Sequence, residues 1–374
     1  MRVLFTTVAL PGHFFPLVPL AWACQALGYE VLVVTSDHFA DSVVRSGLPV
    51  ATSGTAPRFV DLAPTPRADG PSERVRLSHG RAFGALADHA LAGTSSLVAS
   101  WRPDVVVAER AEFAGPLAAA DHDVPAVEYH WGAATLAEYR SGAEEALAAT
   151  LERRGLTGLP DPALVLNPWP RSLHLPEMAH HRSARYVPYN GDARLPAWLF
   201  RPRSAPRVII TLGTLLPQFG PNGVREVVLP LLEQVARHGV DIVVAVDDAV
   251  AADWPALPAQ VSHVGRLPMA QVLQACDALV HHGGQGTALT GLHAGKPQLV
   301  LPHIDDQWGN ADAVVRSGSG LSFAPHEAGP DAIAERCVEL VRTPAYTSAA
   351  LDVAAEMAGQ PGLTEVVESL EKLV

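Results

Sequence analysis

The sequence predicts an α/β protein of two doubly wound, Rossmann-like domains that face each other across a cleft. Three observations carry this. The chain has 374 residues, 48% of them hydrophobic, which exceeds the size at which a single core usually stops growing. Short β-branched runs alternate with segments of helical period, the pattern of a parallel sheet covered on both faces. The alternation occurs twice, interrupted by a stretch that shows neither period.

In chain order, "RVLFTTV" reads as a strand, "ALPGHFFP" as a glycine loop, "LVPLAWACQALG" as a helix and "EVLVVTS" as the next strand. "PDVVVAE" and "VPAVEYH" follow as two more strands, separated by a helical segment beginning near Phe113. The second series runs from "RVIITLGT" through a helix from about Gly223 to His238, then "VDIVVAV", "VSHVGRL", "DALVHHGG" and "PQLVLP". Between the series lies a Pro- and Arg-rich connection, which places the boundary near residues 190–206 and divides the chain into domains at 1–195 and 196–355. In doubly wound sheets ligands bind beyond the carboxyl ends of the strands. The residues to watch are therefore His13, Glu109, His130, Thr214, the loop from His281 to Thr287, and "HIDDQ".

Composition narrows the function. Lys and Arg total 27 against 39 Asp and Glu, a formal charge of −12, and no basic run offsets it, so nucleic acid is not an expected partner. Cys24, Cys276 and Cys337 stand far apart without a CxxC pair, which points to a reducing, cytoplasmic setting and to no disulfide framework. The apolar start "MRVLFTTVAL" is broken by "PGHFFP", unlike a secretory signal, and no run reaches the roughly 20 apolar residues of a membrane span.

The most informative stretch is "VHHGGQGTALTGLHAGKPQLVLPHIDDQWGN", from Val280 to Asn310. It reads as a strand ending at His281, a glycine loop, and a helix starting near Thr287. Amides at Gly284, Gly286 and Thr287 then face outward at a helix N-terminus, where free N–H groups favour phosphate. His281 can add a hydrogen bond to the same anion. This is neither a Walker loop nor GxGxxG, and the glycines would equally serve a plain strand-to-helix turn. The histidine pairs His281-His282 and His180-His181 lack metal-ligand spacing, so no metal is expected. One strand later come Asp305, Asp306 and Gln307, which suit vicinal sugar hydroxyls or, alternatively, a solvated loop.

Together with "PGHFFPLVPLAWACQALGYEV", "WRPDVVVAERAEFAG", "RYVPYNG" and "EMAGQPGLTEVVESLEKL", this stretch resembles a family: the nucleotide-sugar-dependent glycosyltransferases of the GT-B fold (glycosyltransferase family 1), in the branch that decorates macrolide and aromatic polyketide antibiotics in actinomycetes. The resemblance implies an inverting, metal-independent hexosyltransferase without a cofactor. Its partners would be a dTDP- or UDP-sugar as co-substrate and a hydrophobic aglycone, with a homodimer or a helper protein left open. It implies that His13 is the general base and that the slot of its orienting acid, usually aspartate, holds Glu109, with Glu112 as the alternative. It assigns the donor to Thr214, His281, Gly284, Gly286, Thr287, Asp306 and Gln307. Arg266 stands where relatives often carry an aromatic residue against the base, and a guanidinium can stack similarly. The closing helix, within 356–374, is expected to cross back to the first domain.

The acceptor side is less legible. Residues 53–93, including "TPRADGPSERVRLSHGRAFG", lack regular period and read as loops over the acceptor cleft. Phe14, Phe15, Phe83, Trp131 and Leu136 are candidates to line a pocket for a flat aglycone, or else core. C-glycosyl transfer to an aromatic polyketide, a GT-B-like nucleotide-sugar epimerase and a catalytically idle binding protein are the alternatives. His13 favours transfer to oxygen, because a hydroxyl must lose its proton.

Overall fold

The computed structural model describes residues 1–64, 72–192, 194–203, 205–219, 221–324 and 327–374. The first domain is built on a seven-stranded sheet in the order β3-β2-β1-β4-β5-β6-β7. Its strands are β1 (Arg2–Thr6), β2 (Glu30–Thr35), β3 (Val50–Thr52), β4 (Val105–Glu109), β5 (Ala126–Tyr129), β6 (Leu164–Asn167) and β7 (Arg182–Ser183). The second sheet has six strands in the order β10-β9-β8-β11-β12-β13. These are β8 (Arg207–Thr211), β9 (Asp241–Ala245), β10 (Val261–Gly265), β11 (Ala278–His281), β12 (Gln298–Val300) and β13 (Gly320–Ser322). All pairings are parallel.

Central strands such as β4 and β8 are buried on both faces, which is why they read as unbroken Val/Ile runs rather than as alternation. Separate apolar clusters cover the two faces of each sheet. Chain order reverses between β1 and β4 in the first sheet and between β8 and β11 in the second. Crossover loops diverge at such switch points and leave a crevice. The loops after β1, β8 and β11 carry His13, Thr214 and the glycine loop respectively, and Glu109 is the last residue of β4.

The segment at 53–93 departs from the expectation of loops. Residues 65–71 lie outside the described residues, but Glu73–Trp101 is one helix of 29 residues, N-capped by the Ser72 hydroxyl, which accepts the Val75 N–H at 3.4 Å. Its glycines hid it. A Cβ on Gly80 would lie 2.5 Å from the Tyr139 carbonyl oxygen, and one on Gly84 2.8 Å from Ala143 Cα. Glycine at these positions lets the helix Ala137–Ala146 lie directly against it, so here glycine serves helix packing rather than a turn.

The two domains are joined by more than the connection. Trp169, Leu173 and Tyr186 pack with Ala288, Leu289 and Leu292 of the helix Gln285–His293 and with Val353 and Met357 of the helix Pro344–Ala358. The final helix, Leu363–Glu371, buries Val366, Val367 and Leu370 in the first domain's core beside Leu20 and Cys24. Their spacing of one, three and four places all three on one helical face. The chain therefore ends on the domain in which it began.

Candidate active site

His13 sits on a one-turn helix, Pro11–Phe14, whose fixed Pro11 φ suits a first helical position. Its ring is held between Phe83, at 5.5 Å between centroids, and the edge of Trp131, at 4.8 Å. Nδ1 lies 3.0 Å from Oε2 of Glu109, close but off the ideal N–H axis, and the side chain is 14% exposed. With Nδ1 turned to the carboxylate, Nε2 is the ring nitrogen left for the cleft.

Glu109 ends β4 and is fully buried. It accepts the Ala111 N–H at 2.9 Å, the Trp131 indole N–H at 2.7 Å and the Val8 N–H at 3.3 Å. Burial alone would push this carboxyl up. The His13 charge and these donors outweigh it, so the group sits below the usual carboxylate range and is ionised at neutral pH.

Glu112 does not compete for His13. It accepts from the Thr6 hydroxyl at 2.5 Å and from the Ala114 and Gly115 amides at 2.9 Å, capping the following helix, and burial raises it to about 7. Glu109 is the acid at His13.

Across the cleft, the helix Gln285–His293 starts at Gly284. Gly283 makes the turn at φ +90, where a Cβ would lie 2.9 Å from the Gln307 carbonyl. Thr287 gives its amide to the Gly284 carbonyl at 3.1 Å, leaving its hydroxyl as a donor, while a Cβ on Gly286 would meet nothing within 4 Å. On the Gly286 side this helix end is open, while the His282 ring stands over Gly284. Thr214 is exposed in the β8 loop beside it, and Arg266 is exposed after β10, its amide 3.4 Å from Asp248.

The structure buries His281. The residue is 0% exposed, its Nδ1 accepts the Gly283 N–H at 3.0 Å, and burial pulls the imidazole down to about 3, only partly offset by Gln298. Successive strand residues face opposite ways. The His282 ring, itself buried and held well below the ordinary histidine range by burial, fills the space between Gly213 and Gly284, where a Cβ on either glycine would run into it.

Asp306 begins the helix Asp306–Arg316 and is partly exposed at the cleft wall, its Cβ 3.2 Å from where a Gly132 side chain would start. Asn310 donates to its carboxylate at 2.8 Å. Burial and the adjacent Asp305 push Asp306 up to about 7, against the pull of Asn310, His13 and Arg110. A folded-state value above the unfolded one means that the folded protein holds the extra proton between about pH 4 and 7, and stability falls as pH rises through that window. Asp306→Asn should therefore raise the midpoint of thermal unfolding at pH 8 and leave it nearly unchanged at pH 4, read by calorimetry at both pH values. A larger gain at pH 4 would contradict this assignment.

Gln307 is tied up more than expected. It is 3% exposed, and its carbonyl oxygen accepts the His303 and Ile304 amides at 2.9 and 3.1 Å, so it shapes the loop, with only its NH₂ left to offer. His130 is also turned away, 2.8 Å from Glu128, and burial depresses it well below the ordinary histidine range.

Of the acceptor candidates, Phe14 is core, wholly buried against Phe39. Leu136 is buried at φ 44 ahead of the helix Ala137–Ala146. Trp131 braces the His13–Glu109 pair. Phe83 is 2% exposed and borders, with Val8, Leu10, Val34, Phe59 and Leu86, a narrow cavity of about 30 Å³ beneath the long helix, with Thr35 and Glu112 as polar walls.

Sequence reasoning missed Arg110, which donates to the Trp131 and Ala134 carbonyls at 2.9 and 2.6 Å and stands 5.6 Å over the Trp131 ring. It also missed Asn310 and Gln285, although Asn310 lies one helical turn after Asp306, the spacing that shares a helix face.

Two facing Rossmann-type sheets, with an imidazole–carboxylate pair on one switch point and an open helix N-terminus on the other, define a glycosyltransferase of the GT-B class. The chain belongs to the erythromycin biosynthesis protein CIII-like family: residues 22–213 match its N-terminal domain and residues 229–373 its C-terminal domain. It is 38% identical to the L-demethylnoviosyl transferase of Streptomyces niveus over 87% of this chain and 86% of that protein. The crystal structure of the glycosyltransferase SsfS6 of Streptomyces sp. SF2575, complexed with thymidine diphosphate, superposes with a TM-score of 0.86 at 31% identity, covering 100% and 99% of the two chains. The spinosyn rhamnosyltransferase SpnG, complexed with spinosyn aglycone, matches with a TM-score of 0.87 at 28% identity over 99% and 100%. The protein is an enzyme, a glycosyltransferase. Among the described residues no helix is long and apolar enough to cross a membrane.

Proposed function

We propose that the protein transfers a deoxysugar from a thymidine-diphosphate donor to a hydroxyl of a hydrophobic, polyketide-type aglycone, with inversion and without a metal ion. The observation that carries this is the Glu109–His13 pair at the first sheet's switch point, with Asp306 against the Gly132 turn of the first domain and the Gln285–His293 helix starting at Gly284 on the second. The aglycone presents its hydroxyl beside the Phe83 and Trp131 rings that flank His13, and the hydroxyl gives its proton to His13 Nε2 as the C–O bond forms. Glu109 holds the ring and stabilises the imidazolium. Asp306 receives sugar hydroxyls. The leaving diphosphate builds negative charge against the Gly284–Gly286 amides, the Thr287 hydroxyl, the helix N-terminus and, in place of His281, the His282 ring. Attack from the face opposite the diphosphate inverts the anomeric carbon. The likeness to SsfS6, solved with thymidine diphosphate, supports the choice of nucleotide.

Isothermal titration of the protein in EDTA with TDP and with UDP tests the donor side. TDP should bind several-fold tighter than UDP, and adding Mg²⁺ should change neither. Preference for UDP, or binding only with Mg²⁺, would overturn the donor reading. Incubation with a TDP-sugar alone separates a transferase, which leaves the sugar's configuration unchanged, from an epimerase, which alters it.

A further inference from the structure

Asp305 and Asp306 are neighbours that serve opposite sides of the domain boundary. Asp305 has φ 34 and ψ −106, a left-handed backbone that a residue other than glycine adopts only under constraint. That twist sends its buried carboxylate into the first domain, where it accepts from His79 Nδ1 on the long helix and from the Tyr139 hydroxyl on the helix packed against it. Asp306, one residue on, faces the cleft.

Two further ties cross at the same place. The Ala133 amide donates to Asn310 Oδ1 at 2.7 Å, and Asn310 in turn donates to Asp306 and to the Gly283 carbonyl, both at 2.8 Å. The Gly132 amide donates to the Gln285 side chain, which also takes the Trp169 indole N–H at 3.0 Å. The loop carrying the sugar-facing carboxylate is thus bonded, through its own residues, to the acceptor domain.

A buried polar triad is a poor device for stability alone, since well-packed apolar residues of similar volume hold an interface as well. What it fixes is direction. We propose that Asp305, clasped by His79 and Tyr139, is a positioning residue for transfer: it turns the Asp306–Gln307 loop toward the cleft, so that the sugar-binding carboxylate is in place only when the second domain is docked on the acceptor helices. This rests on the reading of Asp306 as a sugar contact given above. Misplacing a substrate-positioning group by about 1 Å costs on the order of 10²-fold in rate, which sets the expected scale.

The test uses the full-length protein and the variants Asp305→Asn, Tyr139→Phe, Asp306→Asn and Asp305→Asn/Asp306→Asn. TDP affinity by calorimetry and kcat and KM for transfer from a TDP-sugar are measured for each. Asp305→Asn should lose about tenfold to a hundredfold in kcat while TDP binds as in the wild type, and Tyr139→Phe, which removes one hydroxyl, should lose less. Because Asp305 acts through Asp306, the double variant should be no slower than Asp306→Asn alone. Losses that simply multiply, an unchanged kcat, or a parallel fall in TDP affinity and melting temperature would overturn the inference. Wild-type protein that binds no TDP would instead overturn the donor reading, and this inference with it.

Discussion

His13→Ala should lower kcat by about 10²–10⁴-fold, the usual worth of a positioned general base, while TDP affinity stays within about twofold of the wild type. The division follows from where the side chain stands. His13 lies on the first domain after β1, its Nδ1 committed to Glu109, whereas every group assigned to the diphosphate stands on the second domain. Alanine leaves Phe83 and Trp131 without the ring between them, so some acceptor affinity goes too. Single-turnover rates and TDP titrations on the same protein separate the effects. Equal loss of TDP affinity and turnover would remove the base from His13.

The second large effect is expected at Glu109. Glutamine keeps the shape but removes the charge that holds an imidazolium, so Glu109→Gln should lower kcat by about 10²-fold with the fold intact. Leucine should do worse: it leaves the Ala111 amide, the Trp131 indole and the Val8 amide buried without an acceptor, at about 1–3 kcal/mol each, enough to threaten folding. The sign of the pH dependence is fixed by the lowered carboxyl. A carboxylate held below its unfolded value stabilises above the unfolded value, about pH 4.3 for glutamate, and that stabilisation is lost as pH falls through the folded one. The melting gap between wild type and Glu109→Gln should therefore close in acid. A gap that widened there would show that Glu109 is protonated in the native protein.

Much of this was legible in the sequence because parallel strands buried on both faces are written as continuous apolar runs. The strands around both switch points, β1, β4, β8 and β11, are predicted at about their observed places, and with them the positions of His13, Glu109, Thr214 and Gly284. Three failures have physical reasons. The Glu73–Trp101 helix was hidden because glycines that serve close helix contact look like breakers. His281 is the last residue of its strand, as the sequence predicts, but which of the two histidine rings stands over the helix end is set by packing between Gly213 and Gly284, which no local spacing encodes. The roles of Asp305, Arg110 and Asn310 are largely tertiary: Asp305 bonds His79 226 residues away, Arg110 bonds Trp131 21 residues away and Asn310 bonds Ala133 177 residues away, and only the four-residue step from Asp306 to Asn310 is local. Phe14 and Leu136 show the same limit in reverse, since an apolar side chain near a site and one in the core have the same local signature.

A crystal structure of the TDP complex tests the central claim most directly. The account predicts the diphosphate at the N-terminus of the Gln285–His293 helix, its oxygens on the Gly284–Gly286 amides, the Thr287 hydroxyl and the His282 ring, with His281 still buried and the adjoining space open between Asp306 and His13. A diphosphate gripped by an everted His281, or nucleotide seated away from that helix end, would contradict it.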